Sequence, residues 1–132
     1  MNEDAGRGGL VNKQREGPAG ASAQISDAAV RLVREYTGRG PPRAHTTINH
    51  DSVMILLGDT LTKGERKLVE GGREESVLQL RHDFQMVMRD DLVGAVEDAT
   101  KRKVVAFMSQ NHIDPDLAVE IFVLEPEDPP QD

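Results

Sequence analysis

The spacing of the hydrophobic residues changes from a helical period to a strand period and back along this chain, and this alternation most restricts what the chain can fold into. Apolar residues between positions 25 and 36 recur every three or four residues, which is the period of a helix buried on one side. We expect Ser22 or Ser26 to cap the start of this helix and Gly38 to end it. The apolar positions are Ile25, Ala28, Ala29, Leu32, Val33 and Tyr36.

Two short strands are predicted next. Residues 43–49 alternate between two faces, with Ala44, Thr46 and Ile48 sharing one of them. Residues 52–57 are apolar on both faces, which predicts a strand in the centre of a sheet. The polar residues 49–51 between them favour a hairpin turn.

A helical period returns after residue 62. Thr62 and Glu65 have the spacing of a capping box, and Gly71-Gly72 predicts the end of a first short helix. From residue 73 to about residue 100 the apolar positions keep the helical period and predict the longest element. Two strands, Lys103–Ser109 and Leu117–Leu124, follow, joined by a polar connection at 110–116.

This order of elements, α-β-β-α-α-β-β, predicts an α+β fold, a two-layer sandwich in which helices cover a mostly antiparallel four-stranded sheet. We assign residues 25–124 to a single domain. Residues 1–24 are rich in glycine and contain only two bulky apolar residues before Ile25 besides Met1, so we expect that segment to be disordered. Residues 125–132 are predicted to be an acidic, proline-rich tail.

The composition excludes several classes of function. The absence of cysteine rules out disulfides, thiolate zinc sites and a cysteine nucleophile. A net charge of −7 and only four aromatic residues argue against nucleic acid as a partner. The longest apolar run, Val53–Leu57, is far shorter than a membrane span, so we expect a cytoplasmic chain with no span of its own.

A metal site would need side chains from both polar connections. His50 and Asp51 lie in one, and His112 and Asp114 lie in the other, so they would meet only if both turns reached the same end of the sheet. Their spacing matches no known ligand motif, and turn residues of this kind usually serve backbone hydrogen bonds. We therefore expect neither a metal nor a cofactor.

Catalytic motifs are also absent from the sequence. No nucleophile elbow surrounds Ser52 or Ser109, and no phosphate-binding glycine loop occurs. Adjacent carboxylates such as Glu74-Glu75 point in different directions on a helix and are typical of a solvated face. We predict that the chain is not an enzyme; the alternative of a small enzyme would require a pocket where histidines and carboxylates converge.

The segment from Gly38 to Arg43 is the densest local feature. It is typical of a helix stop followed by a rigid turn, and alternatively Arg39 and Arg43 present guanidinium groups to an anion. Polar residues also cluster at the ends of the predicted strands, whereas the strands are apolar. We therefore select as binding candidates Arg39, Arg43, Asn49, His50, Asp51, Asn111, His112 and Asp114.

Several short segments occur together in a fixed order: Tyr36-Thr37-Gly38-Arg39-Gly40-Pro41, Leu61-Thr62-Lys63-Gly64-Glu65, Leu68-Val69-Glu70-Gly71-Gly72-Arg73, Arg81-His82-Asp83-Phe84, Arg102-Lys103-Val104 and Asp114-Pro115-Asp116. In this order they resemble the MpsC-like domain family over about residues 25–126. The resemblance implies a bacterial protein and a link to a sodium-translocating, membrane-potential-generating system involved in bicarbonate supply. It carries over no catalytic residue.

A chain without a membrane span does not itself move ions through a bilayer. We therefore expect a non-enzymatic accessory or regulatory domain that binds a protein partner or a small anion, in association with a membrane cation or bicarbonate transport system. The alternative is a self-associating structural module, a homo-oligomer that pairs through its short apolar strands at 52–57 and 103–109.

Overall fold

The computed structural model describes residues 20–39 and 43–127. The segment 1–19, predicted to be disordered, and the end of the predicted tail lie outside the described residues. The described ranges hold three helices and four strands in the predicted order, namely α1 (Ala21–Thr37), β1 (Arg43–Asn49), β2 (Ser52–Gly58), α2 (Lys63–Glu70), α3 (Glu74–Thr100), β3 (Val104–His112) and β4 (Leu117–Leu124).

The four strands form one antiparallel sheet in the order β1-β2-β4-β3. The predicted α+β fold is confirmed, and β2 lies in the centre of the sheet, as its apolar sequence predicted. β3 continues to His112, so Gln110, Asn111 and His112 belong to a strand, and their assignment to the polar connection was wrong. Pairing with β4 extends through these residues because Asn111 and His112 lie opposite Ala118 and Leu117.

Helices α1 and α3 pack on one face of the sheet and form the core with it. Inward-facing strand residues such as Val53, Ile55 and Phe122 are fully buried beneath the helices. The two helices are joined at the surface, where the Tyr36 hydroxyl donates to an Asp91 carboxylate oxygen at 2.9 Å. Within the described ranges, none of the helices combines the length and the apolar content that a bilayer crossing requires.

Helix α1 begins at Ala21, within the segment that was predicted to precede the domain. Its N-cap is Gly20, and no side chain caps it, so the expected capping by Ser22 or Ser26 was wrong. The Ser26 hydroxyl instead lies 2.7 Å from the Thr46 hydroxyl of β1 and joins helix to sheet. Gly38 ends the helix as predicted, because its positive φ of 75° is readily available to glycine.

Helix α2 begins with the predicted capping box. The Glu65 N–H donates to the Thr62 hydroxyl at 3.1 Å, and the Thr62 N–H donates to the Glu65 carboxylate at 2.7 Å. The helix ends at the Gly71-Gly72 pair, as the sequence indicated. The box thus satisfies two backbone N–H groups at the start of the helix that have no partner within the helix.

Replacing Thr62 with alanine removes the hydroxyl that accepts from the Glu65 N–H. We expect Thr62→Ala to lower the free energy of unfolding by about 1 kcal/mol. Thr62→Ser keeps an oxygen at the same position and is the matched control. Urea denaturation measures both; equal midpoints for the wild type and the alanine variant would contradict a stabilising role for the box.

Candidate functional site

The two polar hairpin turns lie at opposite ends of the sheet. Ser52, at the first turn, pairs with Val123, whereas Gly58, at the other end of β2, pairs with Leu117 beside the second turn. At about 3.3 Å per residue the two ends are separated by about 20 Å. The two turns therefore do not reach the same end of the sheet, and His50 and Asp51 do not meet His112 and Asp114. Across residues 20–39 and 43–127, no group of three potential metal-ligating side chains converges.

The first turn is held by Arg102, which follows α3. Its guanidinium donates to the His50 carbonyl at 2.8 Å, to the Asp51 carboxylate at 2.5 Å and to the Glu125 carbonyl at 2.8 Å. Asn49 is exposed at the end of β1. The structure thus uses the His50 carbonyl and the Asp51 carboxylate to connect the hairpin to the segments that follow α3 and β4.

The candidate residues near the second turn do not share one site. Asn111 exchanges two hydrogen bonds with Gln85 of α3, both of 2.9 Å, on the inner face of the sheet. The His112 Nδ1 lies 2.8 Å from the Pro115 carbonyl oxygen, within the turn itself. Asp114 is exposed and lines a separate cavity of about 230 Å³.

The two candidate arginines have different environments. Arg39 donates from Nε to the Asp59 carbonyl at 2.9 Å and forms an ion pair of 3.1 Å with the Asp59 carboxylate, which Arg66 also contacts at 3.0 Å. Arg43 is exposed at the start of β1 and has no ion pair within the described ranges. Its guanidinium lies beside Gly58, where an added Cβ would be 3.3 Å from it.

A buried ion pair beneath α3 was not anticipated from the sequence. Arg81 is only 8% exposed, and its guanidinium lies 3.4 Å from the Glu65 carboxylate, which is 4% exposed. The same guanidinium donates to the Thr60 carbonyl and hydroxyl and to the Asn111 amide oxygen. The sequence signal was the position of Arg81, four residues after Val77 on the apolar stripe of the helix.

The face of the sheet opposite the helices carries an apolar patch. The register brings Leu56 beside Val119 and Met54 beside Ile121, which in turn pairs with Met108. Met54 and Leu56 are each 38% exposed and Met108 is 51% exposed, although all three are large and apolar. We call this surface the open face; its apolar members are Met54, Leu56, Met108, Leu117, Val119, Ile121 and Val123.

Among the strand residues on the open face, the formal charge comes from Arg43, which lies with two histidines at one end that we call the basic end. Arg43 and His112 belong to one cross-strand row, and His45 lies in the next row beside Leu56. None of the strand residues that point to this face is acidic. A cavity of about 280 Å³ opens between the basic end and the apolar centre, and Arg43, His45 and Leu56 are among the residues that line it.

Sequence reasoning did not select the apolar members of the open face as candidates for binding a partner protein. Residues 52–57 and 117–124 each have an apolar set on both sides. For 52–57 this was interpreted as a sign of central position and, in the alternative of a self-associating module, as a surface for pairing between copies. In a two-layer fold the helices cover one face, so one of the two apolar sets had to remain uncovered. That inference was available from the number of predicted helices.

Comparison with known proteins gives one match. A family model described as Na+-translocating membrane potential-generating system (MpsC) matches residues 20–126, a range that includes every helix and strand described above. Searches of curated proteins and of solved structures gave no match.

Removing Arg81 would leave the buried Glu65 carboxylate without its partner. We expect Arg81→Met to lower the free energy of unfolding by about 3–5 kcal/mol. Adding Glu65→Gln removes the unpaired charge and keeps an oxygen for the capping box, so it should recover part of that loss. Chemical denaturation of the two variants tests this; if the second substitution recovers nothing, the buried charge is not the cause.

Proposed function

The chain belongs to the MpsC family, and we propose that it serves a membrane cation or bicarbonate transport system as a non-enzymatic accessory or regulatory domain. We further propose that it acts by binding a partner protein through the open face. The family description, which names a Na+-translocating system, supports the membrane context. The side chains of the open face support the mode of action.

The observation that carries this proposal is the exposure of large apolar side chains in adjacent rows. Met54, Leu56 and Met108 are arranged around Val119 and Ile121, so they form one patch. Contiguous exposed apolar patches are characteristic of protein–protein interaction sites, because covering them releases free energy in proportion to the area removed from water.

The charges at the basic end specify the kind of partner. Arg43 borders the apolar centre, and none of the strand residues that share its face is acidic. A partner segment that presents apolar side chains next to carboxylates would fill the centre and pair with Arg43 through two parallel hydrogen bonds. Arg39 has a different proposed role, because its pairing with Asp59 positions the loop after β2.

A second copy of the chain fits this face less well. In a two-fold symmetric contact between two open faces, the strand residues of one copy offer no carboxylate to Arg43 of the other, so a charged partner would have to come from a turn, such as Asp51 or Asp114. Desolvation of Arg43 without such a partner is costly. Self-association is therefore an outcome of the experiment below rather than the leading proposal.

The placement of the histidines supports a non-enzymatic role. A small enzyme would need histidines and carboxylates in one pocket. His50 and His112 lie at opposite ends of the sheet, and the cavities that His45 and His82 line have no carboxylate among their lining residues. Asp51, beside His50, is already engaged by Arg102.

Site-specific photocrosslinking in host cells tests the proposal. A benzophenone amino acid placed at Met108 reports on the open face, and the same group at Val87, which is 66% exposed on α3, is the matched control. We expect an adduct with a membrane transport protein from position 108 and none from position 87. Adding Leu56→Glu should reduce the yield at least about tenfold, because it places a charge in a surface that binding desolvates.

Two outcomes would contradict the proposal that the open face binds a partner protein. Equal adducts from both positions would show that the open face has no special role. An adduct composed only of two copies of this chain, with a dimer seen by light scattering at micromolar concentration, would assign the open face to self-association. Circular dichroism of the Leu56→Glu protein must match the wild type for the comparison to hold.

A further inference from the structure

A single carboxyl group is buried in the middle of the sheet. Glu120 lies on β4 between Ala118 and Phe122 on the inner face, and it is 1% exposed. Burial of an ionised carboxylate is costly unless it is paired and fully hydrogen-bonded. The role of Glu120 therefore depends on what surrounds its two oxygens.

The two oxygens of Glu120 are satisfied unequally. Oε2 accepts a hydrogen bond of 3.2 Å from the Gln85 side chain of α3. Oε1 is buried without a hydrogen bond of standard geometry, and so is the hydroxyl of Ser109, the residue opposite Glu120 on β3. An ionised Glu120 carboxylate has no hydrogen to donate, so the Ser109 hydroxyl is the only hydrogen-bond donor of these two side chains. Protonation of Glu120 adds a second donor.

The nearest charge is a guanidinium that is already engaged. Arg81 of α3 attracts the Glu120 carboxylate but is paired with Glu65 of α2 at 3.4 Å. If Glu65 and Glu120 were both ionised, the buried cluster that they form with Arg81 would carry two negative charges and one positive charge. Holding a proton on Glu120 removes the excess charge.

The remaining elements that pack around Glu120 contribute no charge to it. β2 places Ile55 opposite Glu120, and α1 contributes Val33 and Thr37 to the adjoining cavity. His82, the residue after Arg81, is exposed on the surface of α3. Among the described residues, Arg81 is therefore the charged group that favours ionisation of Glu120, whereas Gln85 and Ser109 favour it only through hydrogen bonding.

A small cavity adjoins the carboxyl group. Its volume is about 20 Å³, and its polar lining comes from Thr37, Thr60, Arg81, Gln85 and Glu120. This volume has room for one water molecule, and such a water would have the two to four polar partners that buried waters require. The carboxyl group thus lies beside a small space that has polar side chains in its lining and the volume of one water molecule.

We propose that Glu120 is an internal proton-binding site, and that gain or loss of its proton changes how firmly α3 is held against the sheet. The device is independent of the partner-binding proposal. The neighbours of Glu120 along β4, Val119 and Ile121, point to the opposite face of the sheet.

The direction of the pH effect follows from the environment. Burial raises the pKa of Glu120 from 4.5 to about 7, against the opposing effects of the Ser109 hydroxyl, Arg81 and Gln85. Between pH 4.5 and 7 the folded chain therefore binds more protons than the unfolded chain. The contribution that the Glu120 proton makes to the free energy of unfolding is fully present below pH 4.5 and is lost as the pH rises through about 7.

Comparing the full chain with its Glu120→Gln variant tests the proposal, because all other titrating groups, His82 included, are common to both. We expect the ratio of the unfolding constants, wild type to variant, to rise by up to about tenfold per pH unit between pH 5 and 7 and to level off above that. Denaturant titrations from pH 4.5 to 8.5 give this ratio. A ratio that is independent of pH would overturn the proposal.

A direct titration keeps the proposal testable if the glutamine variant fails to fold. The carboxyl ¹³C resonance of Glu120 in the labelled wild type should titrate near pH 7, and a midpoint near 4.5 would overturn the proposal. In Ser109→Ala that midpoint should rise, because the hydroxyl that lowers the pKa is gone. If Ser109 had a purely structural role, Ser109→Ala would change the free energy of unfolding and leave the Glu120 titration midpoint unchanged.

Discussion

The sheet of this protein has apolar side chains on both faces, but its helices pack on only one of them. Helices α1 and α3 cover Val53, Ile55 and Phe122, and this contact forms the core. The opposite face keeps Met54 and Met108 in contact with solvent. The position of the core and the identity of the candidate binding surface both follow from this one-sided arrangement.

The covered side is organised by polar contacts as well as by hydrophobic packing. Arg81 joins α3 to Glu65 at the start of α2 and to Thr60 after β2. A buried ion pair of this kind adds little net stability compared with apolar packing, but it is costly to break. It connects α3 with α2 and with the segment after β2, and Glu120 lies close enough for Arg81 to lower its pKa.

Hydrophobic period was sufficient to predict the elements, their order and the α+β class, because period reports which residues share a face. It does not report which strands are neighbours or which face is covered. The separation of His50 from His112 depends on β4 lying between β2 and β3, and no local pattern specifies that order. The ion pair of Arg39 with Asp59 likewise depends on two loops that meet only in the folded chain.

The methionines allow the one-sided arrangement to be measured directly. Methyl NMR of the dilute full chain with a soluble paramagnetic cosolute compares Met54 and Met108 on the open face with Met88, which is 5% exposed in the core. We expect strong relaxation enhancement at Met54 and Met108 and little at Met88. Protection of Met54 and Met108 equal to that of Met88 would show that the face is covered and would contradict its assignment as a free binding surface.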